Sequence, residues 1–95
     1  MAVKIIIKRK VIENKAEALL PLLKQLRNLA MNQDGYISGE TLKRIDTPGE
    51  NLVISTWQSL DAWRAWVLDP QRIELQTKVD ELLGEQTKYE LYEYS

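Results

Sequence analysis

Residues 52–70 read LVISTWQSLDAWRAWVLDP, and their hydrophobic period changes partway along. Leu52 to Trp57 is rich in β-branched residues and reads as a strand. Ser59 is suited to cap a helix, and the spacing after it is helical. On a wheel, Leu60, Trp63 and Val67 share an arc of roughly 60°, and Trp66 lies about 60° beyond Trp63. This predicts a short helix over about Leu60 to Leu68. Asp69-Pro70 is a second helix start, an N-cap followed by proline at the first helical position. That second piece runs to about Leu83, where Gly84 stops it.

Working upstream, Asp46-Thr47-Pro48-Gly49 is a turn, and Tyr36 to Ile45 reads as the strand before it. The two strands should form an antiparallel hairpin. Gly39 marks a bulge or a close backbone approach. Before the hairpin, Ala18, Leu19, Leu22, Leu23, Leu26, Leu29 and Ala30 fall within roughly 140° of one helical face. Asn14 and Glu17 have the spacing of a capping box, and Pro21 requires either a late start, near Glu17, or a kink. Ala2 to Lys10 alternates, with Val3, Ile5 and Ile7 on one face and Lys4, Ile6 and Lys8 on the other. Lys8-Arg9-Lys10 is read as a solvated strand end. Thr87 to Tyr94 alternates again as a last strand.

The order β-α-β-β-α-β predicts an α+β, ferredoxin-like fold, a single domain over residues 1–95. Four antiparallel strands would carry helices on one face. Apolar residues occur on both faces of the strands, so a second sheet should cover the other side. The simplest source is another copy of the chain in a two-fold homodimer.

Composition narrows the chemistry. The chain has 95 residues, a net charge of −1, and neither His nor Cys. That removes thiolate chemistry, disulfides and the commonest general base and metal ligand. No carboxylates show metal-ligand spacing, so no metal and no cofactor are expected. No strong field points toward nucleic acid, and no apolar run is long enough for a membrane span. The opening MAVKIIIKRK is too short and too charged for a signal peptide, which implies a cytoplasmic protein.

The segment VISTWQSLDAWRAW, Val53–Trp66, with GYISGETL, Gly35–Leu42, upstream resembles the antibiotic biosynthesis monooxygenase family, a dimeric α/β-barrel superfamily. The resemblance covers essentially the whole chain in element order, length and position. It implies a homodimer with a pocket in each subunit between sheet and helices. One branch of the family oxidises polyketide quinols without a cofactor; another degrades haem. Trp66 matches the pocket tryptophan of the haem-degrading branch, but its ligating histidine falls at Gln76, and its strand-one asparagine falls near Lys8. The resemblance therefore implies no haem ligand here.

Three residues are candidates for a pocket that binds substrate: Trp66, Arg72 and Gln76. They would supply an indole wall, a cation and an amide. Trp63 is read as core and Trp57 as packing against the sheet's covering layer. Trp66, at the edge of the apolar stripe, either lines a cavity or packs peripherally. Arg72 either pairs with a surface carboxylate or faces the pocket with Gln76. Tyr36, Tyr89, Tyr92 and Tyr94 are ordinary strand residues, of which at most one offers a phenol to a ligand. Asp80, Glu81, Glu90 and Glu93 are read as solvated surface. No general base is identifiable.

The leading expectation is a cofactor-independent monooxygenase acting on an aromatic or quinol-like small molecule. The alternatives are a non-catalytic, small-ligand-binding or stress-related dimer, and a structural oligomer with a filled pocket.

Overall fold

A computed structural model describes residues 1–95, the side chain of Glu13 excepted. The elements are β1 (Val3–Lys10), α1 (Glu13–Met31), β2 (Tyr36–Lys43), β3 (Glu50–Trp57), α2 (Leu60–Val67), α3 (Pro70–Leu83) and β4 (Tyr89–Glu93). The strands form one antiparallel sheet in the order β2-β3-β1-β4. This is the ferredoxin-like βαββαβ arrangement with the second helix divided in two.

The period-2 reading of β1 determines the core. Register pairs Val3 with Trp57, and Ile5 with Ser55, so these residues share a face. Val3 and Ile5 are buried together with Trp57, Leu19 and Leu26 of α1, Trp66 of α2 and Val79 of α3. Ile5, Leu19 and Val79 are 0% exposed. Burial of an aliphatic side chain of this size stabilises by roughly 1.5–3 kcal/mol, so these contacts hold all three helices on one side of the sheet.

The division into α2 and α3 follows the predicted caps. Ser59 Oγ accepts from the Ala62 amide at 3.1 Å, and Asp69 Oδ1 accepts from the Arg72 amide at 3.0 Å. Pro70 opens α3, and Gly84 closes it with φ of 74°. Gly35 ties β2 to α2: it has φ of 87°, and a Cβ there would lie 2.5 Å from the Ala62 Cβ. Any larger residue would push α2 off the start of β2.

Three local expectations are corrected. α1 starts at Glu13, with Ile12 as N-cap and no side-chain cap, so Asn14 lies within the helix and the Asn14/Glu17 capping box is not formed. The helix runs nineteen residues through Pro21 instead of starting late. Pro21 and Glu17 are both exposed, so solvent can take the Glu17 carbonyl that the proline leaves without a donor. Ala18 is exposed, outside the buried stripe. In β2 the register slips between Tyr36 and Ser38, while Gly39 provides the close approach. A Cβ at Gly39 would lie 2.5 Å from Tyr36 Oη. Among the described residues, no helix is long and apolar enough to cross a membrane.

Candidate functional site

Beyond Ile5 the helix-side face of the sheet is no longer filled. A cavity of about 380 Å³ opens there, bounded by Ile7 and Arg9 of β1, Val53, Ser55 and Trp57 of β3, and Tyr89 of β4. Leu23, Leu26 and Ala30 of α1, Trp63 and Trp66 of α2, and Arg72 and Gln76 of α3 close the opposite side. Leu20, Lys24, Arg27 and Lys43 also line it and are exposed, which puts the mouth between α1 and β2.

One wall is aromatic. Trp57 and Trp66 stack with ring centroids 6.1 Å apart and planes 24° apart, and Tyr36 meets Trp57 edge-on at 5.4 Å. Trp57 Nε1 donates to Ser55 Oγ at 3.1 Å, which fixes its indole. Trp63 meets Tyr89 edge-on at 5.7 Å. All three tryptophans therefore line the cavity, and the sequence-based division of them is revised. Trp63, expected as core, is half-buried, whereas Trp57 and Trp66 are at once core residues and cavity wall.

Arg72 lies in the first turn of α3 because Asp69 and Pro70 start the helix there. It is 7% exposed. Its Nη1 donates to the Val67 carbonyl at 3.0 Å and its Nη2 to Tyr89 Oη at 2.5 Å. Val67 ends α2, so the guanidinium sits at the negative end of that helix dipole. The guanidinium carbon lies 5.9 Å from the Trp66 ring centroid and 5.5 Å from that of Tyr89. The reading of Arg72 as paired with a surface carboxylate does not hold. Among the described residues no carboxylate lies within ion-pair distance of it.

Gln76 follows one turn later and is 9% exposed. Its Nε2 donates to Asp80 Oδ1 and to Thr87 Oγ1, each at 2.9 Å. Asp80 Oδ1 also accepts from the Thr87 amide at 3.2 Å and its hydroxyl at 2.7 Å. Asp80 is therefore a buttress joining α3 to the approach of β4, which corrects its reading as solvated surface. Both hydrogens of the Gln76 amide are used, so the group has only its carbonyl oxygen left to offer a ligand.

Arg9 was missed by the sequence reading. Lys8 and Lys10 are exposed, and Lys8 pairs with Glu90 at 3.6 Å. Arg9 continues the Val3-Ile5-Ile7 face and lines the cavity. Its Nε is buried with no hydrogen-bond partner, a situation that costs about 1–3 kcal/mol for a buried donor. Burial pulls the Arg9 pKa down; Tyr89 and Asp80 oppose this, and neighbouring Arg72 adds to it. Alternation along β1 was the available signal, masked by the two flanking lysines.

Tyr89 completes the polar edge. Burial pushes its phenol pKa up, and the charges of Arg72 and Arg9 partly offset that. Because the phenol oxygen accepts from Arg72, its own proton is free to be donated elsewhere. Among the described residues, no three His, Cys, Asp or Glu side chains gather as a metal-ligand set.

A family model described as "Antibiotic biosynthesis monooxygenase" matches residues 2–78. No curated protein matches the chain. Among solved structures, a conserved protein from Methanosarcina mazei superposes with a TM-score of 0.90 at 17% identity, covering 100% of this chain and 94% of the other. The Rv0793 protein of Mycobacterium tuberculosis gives a TM-score of 0.87 at 20% identity, covering 100% and 96%. SnoaB, a cofactor-independent oxygenase from Streptomyces nogalater, gives 0.84 at 18% identity, covering 99% and 93%. At these identities the likeness is one of fold.

Proposed function

The chain belongs to the antibiotic biosynthesis monooxygenase family, and we propose that it is a cofactor-independent monooxygenase acting on a flat, phenolic or quinol-like aromatic. The observation that carries this reading is the cavity itself. Stacked indoles on one side face a guanidinium that no carboxylate among the described residues neutralises.

A phenol in its keto tautomer has an activated methylene. Oxidation by O₂ turns that carbon into a carbonyl: one oxygen atom enters the product, and the other leaves as water with the two hydrogens. No outside electrons are needed. The protein's tasks are to hold the ring, promote loss of a proton and stabilise the resulting oxyanion. Trp57 and Trp66 form the wall for the ring. Arg72 supplies positive charge at the oxyanion, pre-oriented by Val67 and Tyr89. Gln76 accepts a hydrogen bond from a substrate hydroxyl, and the Tyr89 phenol returns a proton. The cations of the cavity lower the pKa of a bound phenol, so the substrate's own acidity begins the reaction.

A homodimer belongs to the same proposal. On the sheet face away from the helices, Ile6 pairs with Ile54, and Leu52 with Leu42. Leu42 is 46% exposed and Tyr92 52%, an apolar surface suited to a second copy of the chain. Sedimentation should return about twice the 11.0 kDa chain mass; a monomer at micromolar concentration would remove the dimer.

The deciding experiment is oxygen uptake by the purified protein against a panel of quinols and naphthoquinols. Turnover above the uncatalysed rate, lost in Trp66→Ala and Arg72→Met, is the expected result. Binding without turnover across the panel would make the protein a ligand-binding dimer instead. The open volume speaks against the third alternative, an oligomer with a filled pocket.

A further inference from the structure

The cavity is far more positive than the chain that builds it. The chain carries a net charge of −1. Of the residues lining the cavity, five are basic, Arg9, Lys24, Arg27, Lys43 and Arg72, and only Glu40 is acidic. Register pairs Glu40 with Ile54, across from Ile6, on the sheet face away from the helices. Its carboxylate is therefore directed away from the cavity, which receives no negative side chain from β2.

The two inner cations differ in what already occupies them. Arg72 has donors committed to Val67 and Tyr89. Arg9 has a buried Nε with no partner, and no carboxylate lies within ion-pair distance of it among the described residues. Asp80, the acidic group whose charge it feels, is occupied by Gln76 and Thr87. A partly buried guanidinium ordinarily faces a carboxylate through a planar two-point fork. Among the described residues no carboxylate fills that role for Arg9, whose side chain lines the cavity.

We propose that the cavity's ligand is an aromatic acid, its ring against the Trp57–Trp66 stack and its carboxylate on Arg9. This rests on the reading of the cavity as a site for a flat aromatic, and it narrows the ligand class. Arg72 is left for the phenolic oxygen, so the two cations read two different groups on one molecule.

The test is titration calorimetry of the purified protein with naphthalene carboxylate and with the near-isosteric naphthalene carboxamide. The acid should bind at least about tenfold tighter than the amide at low ionic strength. Arg9→Met should remove that preference while leaving amide affinity within about twofold, which also reports that the cavity still folds. Arg9→Lys keeps the charge and loses the fork, so it should retain only part of the preference; it serves in place of Arg9→Met if that variant does not fold. Equal binding of acid and amide by the native protein, binding of neither, or an unchanged preference in the Arg9 variants would overturn the proposal. Oxygen uptake separates this from the activity. Turnover of neutral quinols without acid preference removes the aromatic-acid ligand alone. Acid preference without turnover removes the monooxygenase reading alone.

Discussion

The two ends of β1 present the same face of the same strand to opposite surroundings. Val3 and Ile5 are 6% and 0% exposed, sealed among Leu19, Trp57 and Val79. Ile7 and Arg9, on the same period, border open volume. At the first end the side chains gain by leaving water. At the second, the fold holds a guanidinium whose Nε is buried with no hydrogen-bond partner among the described residues. Hydrophobic period therefore assigns a residue to a face, but it does not say whether that face is filled. Where it is not, a charged residue can continue an apolar stripe at a cost to stability that a ligand offsets.

The filled end should break first. Ile5→Ala should destabilise by about 3 kcal/mol, since the buried strand cannot collapse onto the void. Urea unfolding followed by tryptophan fluorescence would measure it. Arg72→Met comes next. It leaves the Val67 carbonyl and Tyr89 phenol without their donor, at about 1–2 kcal/mol in stability. If Arg72 meets the oxyanion, turnover should also fall by about 100-fold, within the range for loss of one such group.

Smaller still is a pH effect at Tyr89. Its pKa is raised in the fold, so both states keep the proton below about pH 10. Above that the unfolded chain releases it first, and stability falls as pH rises toward the folded value. Tyr89→Phe should lack this part of the decline, as a comparison of unfolding midpoints on either side of pH 10 would show. Arg9→Met should have the least effect on stability, within about 0.5 kcal/mol of wild type or a slight gain, because it removes an uncompensated charge. If Arg9→Met costs as much as Ile5→Ala, the two ends of β1 do not differ in kind.

Most of the fold was legible because its signals are local. Strand alternation, the Ser59 and Asp69-Pro70 starts and the Gly84 stop each act over a few residues, and each recurs in the structure. Asn14 and Glu17 have capping-box spacing, yet the chain enters the helix at Ile12, two residues too early for it. Trp66, Arg72 and Gln76 stand on two successive helices readable in the sequence, and all three line the cavity. Arg9, Tyr89 and Asp80 were harder to see. Their surroundings come from β1, β4 and the approach to β4, brought to α3 only by tertiary pairing. Alternation does put Arg9 on the Val3-Ile5-Ile7 face, but Lys8 and Lys10 on either side give the run the look of a solvated strand end.

The stack of Trp57 on Trp66 has an optical consequence. Two indoles 6.1 Å apart and 24° from parallel couple their electronic transitions, so the pair should give an exciton couplet in the far-ultraviolet circular dichroism. The sign and size of such a couplet depend on the mutual angle of the rings. A planar guest pressing on the wall would alter that angle, so occupancy would appear as a change in band shape with no label attached. Trp66→Ala would abolish the couplet outright and give the blank against which that spectrum is read.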